Sequence, residues 1–200
     1  DGSSQGLGDW SVMAGGSWNG RGVSPAHYDA WSKMQLGFIE PVILDENLDN
    51  VQIPPIETEG AAYILWNRGR ARSEYFLIEN RQRLGFDADL PGQGLLVYHI
   101  DDNMIESQND NEWSPGEEDE GHYMVALEQA DGEWELERTR SRGDGSDPFP
   151  GTRRNTTFNA ESEPGSRAYS GATSNVEIND IVVQNRIIRC EINVVLGDDP

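Results

Sequence analysis

A series of short β-type segments, separated by turn residues, most strongly limits what this chain can fold into. After Gly37, seven runs are rich in branched and aromatic residues, and Gly, Pro, Asn and Asp separate them without helical runs between. They read FIEPVIL, AAYILW, EYFLIENR, GLLVYHI, YMVALEQ, VEINDIVV and IIRCEINVV. We therefore predict a mainly β fold, with an antiparallel β-sandwich or jelly-roll-like subdomain over residues 39–200.

Turn chemistry adds detail to this prediction. The stretch VVQNRII (182–188) reads as a hairpin that joins the last two strands. Pro54 and Pro55 demote VQIPPI to an edge strand or a bulge, because proline has no backbone N–H to give to a sheet. The acidic stretch from Asp101 to Gly121 is predicted to be a long loop.

One helix is predicted before the strands, in SPAHYDAWSKMQLG (24–37). Ser24 is placed to cap its N-terminus, and Pro25 suits the first helical position, where a missing N–H costs nothing. Gly37 would end it. The spacing of three between Tyr28, Trp31 and Met34 predicts that these side chains form its buried face.

The charge balance limits the partners. The chain has 36 Asp and Glu against 15 Lys and Arg, which gives a formal net charge of −21. Nucleic acid and anionic membrane surfaces need a basic face, so both are excluded as partners. No apolar run approaches the roughly 20 residues of a membrane span. Cation binding or solubility in salty surroundings fits the composition better.

Local catalytic motifs are absent from the sequence. It contains no HExxH, no HxxEH, no CxxC, no GxSxG and no glycine-rich phosphate loop. Its histidines, His27, His99 and His122, are too far apart in sequence to form a local metal motif.

A lone methionine stands out in GDWSVMAGGSWNG (8–20), between a tryptophan and a pair of glycines. A methionine usually fills an irregular gap in a core because its thioether is flexible and polarizable. In a glycine-flanked turn, Met13 must support something above it, unless it is an ordinary core residue.

Several blocks of the sequence together resemble one family. GLGDWSVMAGGSWNG, PAHYDAWSKMQLGF, YFLIENRQRLGFDADLPGQGLLVYHID, VALEQADG and GDGSDPFPG follow one another in the order found in the immune inhibitor A family of secreted bacterial zinc metallopeptidases. The blocks run from residue 6 to about residue 151. This order is far more specific than any single block.

The resemblance implies a role for Met13. Members of the family carry an extended HExxHxxGxxD zinc motif, followed by a turn whose methionine lies beneath the metal. Met13 matches this Met-turn, as an apolar floor and not as a ligand. Residues 1–38 would then be the C-terminal end of a zincin catalytic domain, with Gly15, Gly16, Trp18 and Asn19 as part of the wall of the substrate pocket.

The chain also departs from the family, because it contains neither the zinc ligands nor the catalytic glutamate. The resemblance places both upstream of residue 1, so no catalytic residue is expected here and this chain alone is expected to be inactive. The implied protein is a secreted zinc endopeptidase that acts on proteins or peptides. Its N-terminal part would be the partner of this chain.

Two other functions stay open. The chain could be a non-catalytic, calcium-stabilised β-sandwich module that binds carbohydrate or protein, with Trp66, Trp113 or Trp134 as stacking platforms. It could also be a degenerate homologue with a structural role only. Tryptophans that are buried would count against carbohydrate binding.

Calcium is the metal that the acidic residues themselves suggest. Asp101 and Asp102 follow the apolar run GLLVYHI, and GDGSDPFPG offers Asp144 and Asp147 in a glycine-rich loop. Calcium takes six to eight oxygen ligands from such flexible anionic loops. The candidate ligands are Asp101, Asp102, Glu128, Asp131, Asp144 and Asp147.

Overall fold

A computed structural model describes residues 4–104 and 122–195, which form two mostly antiparallel sheets with few helices. An α-helix, α1, spans Ala30–Gln35, and 3-10 helices span Gly8–Trp10, Gly15–Gly22, Asn67–Gly69 and Gly85–Asp89. The strands are β1 (Val42–Leu44), β2 (Leu48–Ile53), β3 (Tyr63–Leu65), β4 (Glu74–Arg81), β5 (Gly94–Asp101), β6 (Val125–Leu127), β7 (Glu177–Gln184) and β8 (Ile187–Asn193).

The strands form a sandwich-like pair of sheets, so the predicted mainly β fold is confirmed. One sheet has the order β1-β3-β4-β5-β6, in which only β1 and β3 run parallel, and the other has the order β2-β8-β7. The predicted hairpin joins β7 to β8 through Asn185 and Arg186, which both have positive φ. As Pro54 and Pro55 predict, β2 is an edge strand, and a register shift lies between Leu48 and Val51.

The central strands β4 and β5 are buried on both faces. Phe76 and Val97 face the second sheet and pack in one hydrophobic cluster with Ile178 and Ile192. The alternate side chains of the same strands, among them Leu77, pack instead with residues of the N-terminal segment. The predicted division at residue 38 stays a prediction, although the parts on either side of it share this second cluster.

The helix is shorter than predicted. It begins at Ala30, and Asp29 caps it by accepting a hydrogen bond from the backbone N–H of Ser32. Ser24 is not its cap, since its hydroxyl donates to the carbonyl of Phe86. The predicted buried face is correct only in part: Trp31 and Met34 are partly buried and pack against a hydrophobic cluster, whereas Tyr28 lies before the helix begins. The buried helix residues are Ala30, Ser32 and Lys33.

Lys33 is buried because it belongs to a cluster of charges between the helix and β4. Its Nζ lies 3.0 Å from Glu79, and Glu79 accepts a 3.1 Å hydrogen bond from Arg81. The Arg81 guanidinium makes two further 2.8 Å bonds to Asp87 and one to the carbonyl of Trp10. This cluster therefore fixes the N-terminal segment on the large sheet.

A third carboxylate, that of Glu57, lies beside Arg81, with its Oε1 3.5 Å from Arg81 Nε. Burial, together with a hydrogen bond shared with Asp87, raises the pKa of Glu57 to about 8. Glu57 therefore holds a proton more readily than an exposed glutamate, which lessens the excess of negative charge around Lys33 and Arg81.

Within the described residues, no helix has the length and apolar character of a membrane span.

Candidate functional site

The Met13 turn lies between two 3-10 helices, and hydrogen bonds to buried side chains hold it in place. The N–H of Met13 donates to Ser11 Oγ at 3.1 Å, and this hydroxyl donates in turn to Asp29 Oδ2 at 2.6 Å. The Met13 side chain is 68% exposed. Met13 is therefore not a core residue of the described chain, and the turn presents its thioether outward.

Asp29 joins this turn to the helix. Besides the bond from Ser11, its carboxylate accepts the backbone N–H and the hydroxyl of Ser32, each at 2.8 Å. Asp29 and Ser11 are both buried. One carboxylate thus caps α1 and fixes the position of the Met13 turn.

We expect Asp29→Ala to destabilise the chain by about 2 kcal/mol, since it removes a helix cap and leaves the buried Ser11 hydroxyl without its acceptor. Urea unfolding would measure the loss. The control is Asp49→Ala on β2, an exposed site where a change within about 0.5 kcal/mol is expected. Equal losses in the two variants would contradict the role of Asp29.

A cavity of about 340 Å³ opens beside the turn. Met13, Trp31 and Met124 supply much of its apolar lining, and Asp29 and Ser11 line it as polar groups. Of the residues predicted for the Met-turn and the pocket wall, Met13 is the one that lines this cavity.

The predicted wall residues differ in what they present. Trp18 is 70% exposed, so its indole is free to meet another molecule. Asn19 is buried and donates from Nδ2 to the carbonyl of Asp9, which stabilises the turn. Gly15 and Gly16 offer backbone only. The wall stays a prediction, and Trp18 is its best-placed side chain.

Exposed apolar side chains are concentrated in the same part of the chain. Ten large hydrophobic side chains are exposed within the described residues, and seven of these lie between residues 13 and 43. The seven are Met13, Trp18, Val23, Leu36, Phe38, Val42 and Ile43. Exposed apolar side chains that lie together commonly mark a site of interaction with another protein segment.

A second candidate site is a group of four carboxylates, which we call the acidic group. One oxygen from each member lies within 4.8 Å of one from every other member. Its members are Asp131, Glu135, Asp144 and Asp147. Three of them were predicted from the sequence and Glu135 was missed, although it follows Asp131 by four residues and so could have been noticed.

Asp147 is the buried member of the acidic group. Its Oδ2 accepts a 2.8 Å hydrogen bond from Trp10 Nε1 and a 2.9 Å bond from the backbone N–H of Asp144, whereas its buried Oδ1 has no partner. Burial, with a contribution from the Asp144 and Asp131 carboxylates, raises the pKa of Asp147 to about 7. Burial also raises the pKa values of Asp131 and Glu135.

This donor set fits calcium. Calcium binds oxygen ligands in loops of variable geometry, whereas zinc prefers nitrogen and sulfur. A divalent cation would balance the repulsion within the acidic group and give the orphaned Asp147 Oδ1 a partner. The fit therefore rests on a buried atom without a hydrogen bond as well as on the charge of the group.

The other three calcium candidates lie elsewhere and have other partners. Asp101 Oδ2 is 2.9 Å from His122 Nε2, and Asp102 accepts hydrogen bonds from Trp31 and Tyr75 at 3.1 Å. Glu128 Oε1 is 3.2 Å from His99 Nδ1. The structure does not bring these carboxylates into the acidic group.

A buried histidine between two carboxylates was not anticipated. His99 contacts Glu128 through Nδ1 and Glu74 through Nε2, and the Tyr169 ring stacks on it at 3.9 Å between ring centres. Burial lowers the pKa of His99, but the two carboxylates outweigh it and the pKa is raised. His122 stacks on the other side of Tyr169, at 4.0 Å.

The tryptophans named for carbohydrate binding do not form an open platform in the described part. Trp134 is buried, and Trp66 is partly buried against both hydrophobic clusters. Trp113 lies outside the described residues, as do residues 105–121 of the predicted long loop.

Comparison with known proteins identifies no relative: no family model matches the chain, and no curated protein matches it.

Proposed function

We propose that this chain is the C-terminal part of a secreted zinc-dependent endopeptidase, in which the Met13 turn supports a zinc site whose ligands another segment provides. The observation that carries the proposal is the outward Met13 side chain. It is 68% exposed, yet it sits on a turn that buried hydrogen bonds from Ser11 and Asp29 hold in place.

Met13 is held in an exposed position at a cost in free energy. A further segment of protein that covers its side chain best explains this arrangement. Leaving a methionine-sized side chain in water forgoes about 1.5–3 kcal/mol of burial energy. Six more large hydrophobic side chains between residues 18 and 43 are exposed as well. The N-terminal part of the same peptidase is the partner we propose for this surface.

The zinc ligands must come from that partner. Within the described residues, the group of three or more side chains that could hold a metal is entirely acidic and contains no histidine or cysteine. When bound, zinc would polarise the water that attacks the peptide bond. The residues of this chain would support the metal site from below, through Met13, and contact a protein or peptide substrate, through Trp18.

Calcium is the second cofactor that we propose, at the acidic group. Ligation by Asp131, Glu135, Asp144 and Asp147 would stabilise the β-rich part of the enzyme. The same site also favours one alternative function, a calcium-stabilised binding module without catalysis, because the acidic group requires no zinc. The exposed Met13 favours the peptidase.

We expect Met13→Leu to loosen zinc in the complete peptidase without changing substrate affinity. Leucine keeps the volume, so the cost in stability should stay below about 1.5 kcal/mol. Competition with a chelator would report zinc retention, and initial rates would report KM. Unchanged zinc retention together with a raised KM would contradict the floor role of Met13.

A further inference from the structure

The acidic group lies in a segment that is hydrogen-bonded to the residues around Met13. We call residues 131–147 the acidic loop and residues 5–15 the turn segment. The N–H of Gln5 donates to the carbonyl of Leu136 at 2.9 Å, and the N–H of Asp9 donates to the carbonyl of Arg142 at 2.6 Å. Trp10 donates from Nε1 to Asp147 itself.

The Arg142 side chain makes two further contacts with the turn segment. Its Nη2 donates to the carbonyl of Gly15 at 2.5 Å and pairs with Asp9 Oδ1 at 2.9 Å. The turn segment is therefore held at four residues that flank Met13, which are Gln5, Asp9, Trp10 and Gly15. Ser11, which accepts the Met13 N–H, directly follows Trp10.

Two glycines allow the acidic loop and the turn segment to touch closely. Gly8 has φ +53°, and a Cβ there would overlap the carbonyl oxygen of Arg142. Gly143 has φ +110°, and a Cβ there would lie 2.6 Å from Trp10 Nε1. Because no side chain separates the two segments, a change in the conformation of one must displace the other.

The conformation of the acidic loop in turn depends on its own charges. Four carboxylates meet in it, and the buried Asp147 Oδ1 has no hydrogen-bond partner. Asp147 is also the acceptor for Trp10. Asp147 is thus both a member of the acidic group with an unpartnered oxygen and one of the residues that hold the turn segment.

We infer that a divalent cation at the acidic group orders the acidic loop and thereby positions the Met13 turn, with Trp10 and Arg142 as the positioning residues. This inference rests on the proposed function, because it makes the geometry beneath the zinc site depend on calcium. It predicts that calcium acts on Met13 across the interface between the two segments.

The test uses the 200-residue chain with [methyl-¹³C]methionine, with and without calcium. Calcium should shift the Met13 methyl resonance, which Met13→Leu assigns by its disappearance. In parallel, hydrogen exchange at the Gln5 and Asp9 amides should slow about tenfold or more, because those amides donate to the acidic loop. Sodium chloride at the same ionic strength controls for screening.

Two variants separate positioning from metal binding. Trp10→Phe removes the bond to Asp147, and Arg142→Gln removes the contacts to Asp9 and Gly15. In Arg142→Gln, calorimetric titration should find calcium affinity within about threefold of the wild type, while the Met13 shift falls by about half or more. Trp10→Phe should lose the shift as well, and it should bind calcium more weakly because the Trp10 bond lowers the pKa of Asp147. Arg72→Gln, an exposed change two residues before β4, is the matched control and should keep the full shift.

The outcomes are distinct. Calcium that binds without affecting Met13, Gln5 or Asp9 would overturn the inference and leave the cation site standing. Failure to bind calcium at all would overturn both the inference and the proposed cation site. The peptidase proposal is tested separately, by zinc retention of Met13→Leu in the complete peptidase, so normal zinc retention there together with a calcium response of Met13 here would overturn the peptidase proposal alone.

Discussion

Arg81→Met is expected to unfold the chain or leave it insoluble. Arg81 is fully buried and is the shared partner of Glu79 and Asp87, so its loss leaves two buried carboxylates facing Lys33 alone. Removing one partner of a buried ion pair typically costs about 3–5 kcal/mol, a large fraction of the stability of a domain. Circular dichroism and urea unfolding of the soluble fraction would measure the effect.

Arg81→Lys gives a graded version of the same test. Lysine keeps the charge but cannot make the paired bonds of a guanidinium to Asp87, so an intermediate loss is expected. Arg72→Met, at an exposed position, is the control and should change stability by about 0.5 kcal/mol or less. An Arg81→Met chain with wild-type stability would show that the buried charges are not needed to join the N-terminal segment to the sheet.

Calcium is expected to raise the melting temperature of the chain by about 5–10 °C. At a concentration about one hundred times the dissociation constant, a ligand adds about 2.7 kcal/mol of stability, and a chain of this length gains about 2–4 °C for each kcal/mol. Differential scanning calorimetry with calcium and with a chelator would measure the shift.

Asp147→Asn should abolish the calcium-induced rise in melting temperature. It should not, however, destabilise the chain when calcium is absent. Asparagine still offers an oxygen to Trp10 but removes one negative charge from the acidic group. In the presence of the chelator, the variant should therefore be at least as stable as the wild type. Asp49→Asn, which is remote and exposed, should keep the full calcium response. A full response in Asp147→Asn would contradict the proposed site.

The calcium response should also weaken at low pH. The pKa of Asp147 is about 7 instead of the usual 3.8, so without a cation this group favours the folded state most below about pH 4 and loses that contribution as the pH rises through 7. Calcium needs the ionised form. The calcium-induced rise in melting temperature should therefore be largest near pH 8 and small near pH 5.

The strands could be predicted from the sequence because their signals are local. The runs that became β4 and β5 contain unbroken apolar stretches, YFLI and LLVY, and the run that became β8 alternates. Pro54 and Pro55 correctly indicated an edge strand. The helix start could not be predicted in this way. Residues 24–29 carry good helix-start residues, but Ser24 and the N–H of His27 bond to Phe86 and Asp87, which are about 60 positions away in sequence.

The candidate sites, like the start of the helix, depend on contacts between residues that are far apart in sequence. Asp144 and Asp147 lie three residues apart in a glycine-rich loop, so the sequence predicts that their carboxylates lie close together. Whether Asp131 joins them, rather than Glu128 or Asp101, depends on how strand ends are arranged in the fold. The buried Arg81 was not predicted at all, because charged residues in a strand normally indicate an exposed face.

The proposed function makes this chain one part of a zinc peptidase whose catalytic residues lie in another segment. The most direct measurement compares proteolysis by the 200-residue chain with proteolysis by the polypeptide that the whole reading frame encodes, including any segment upstream of Asp1. We expect an HExxH motif within that upstream segment, chelator-sensitive cleavage of a protein substrate by the longer polypeptide, and no cleavage by the shorter one. Zinc-dependent cleavage by the 200-residue chain alone, or a longer polypeptide without the motif and without activity, would contradict the claim.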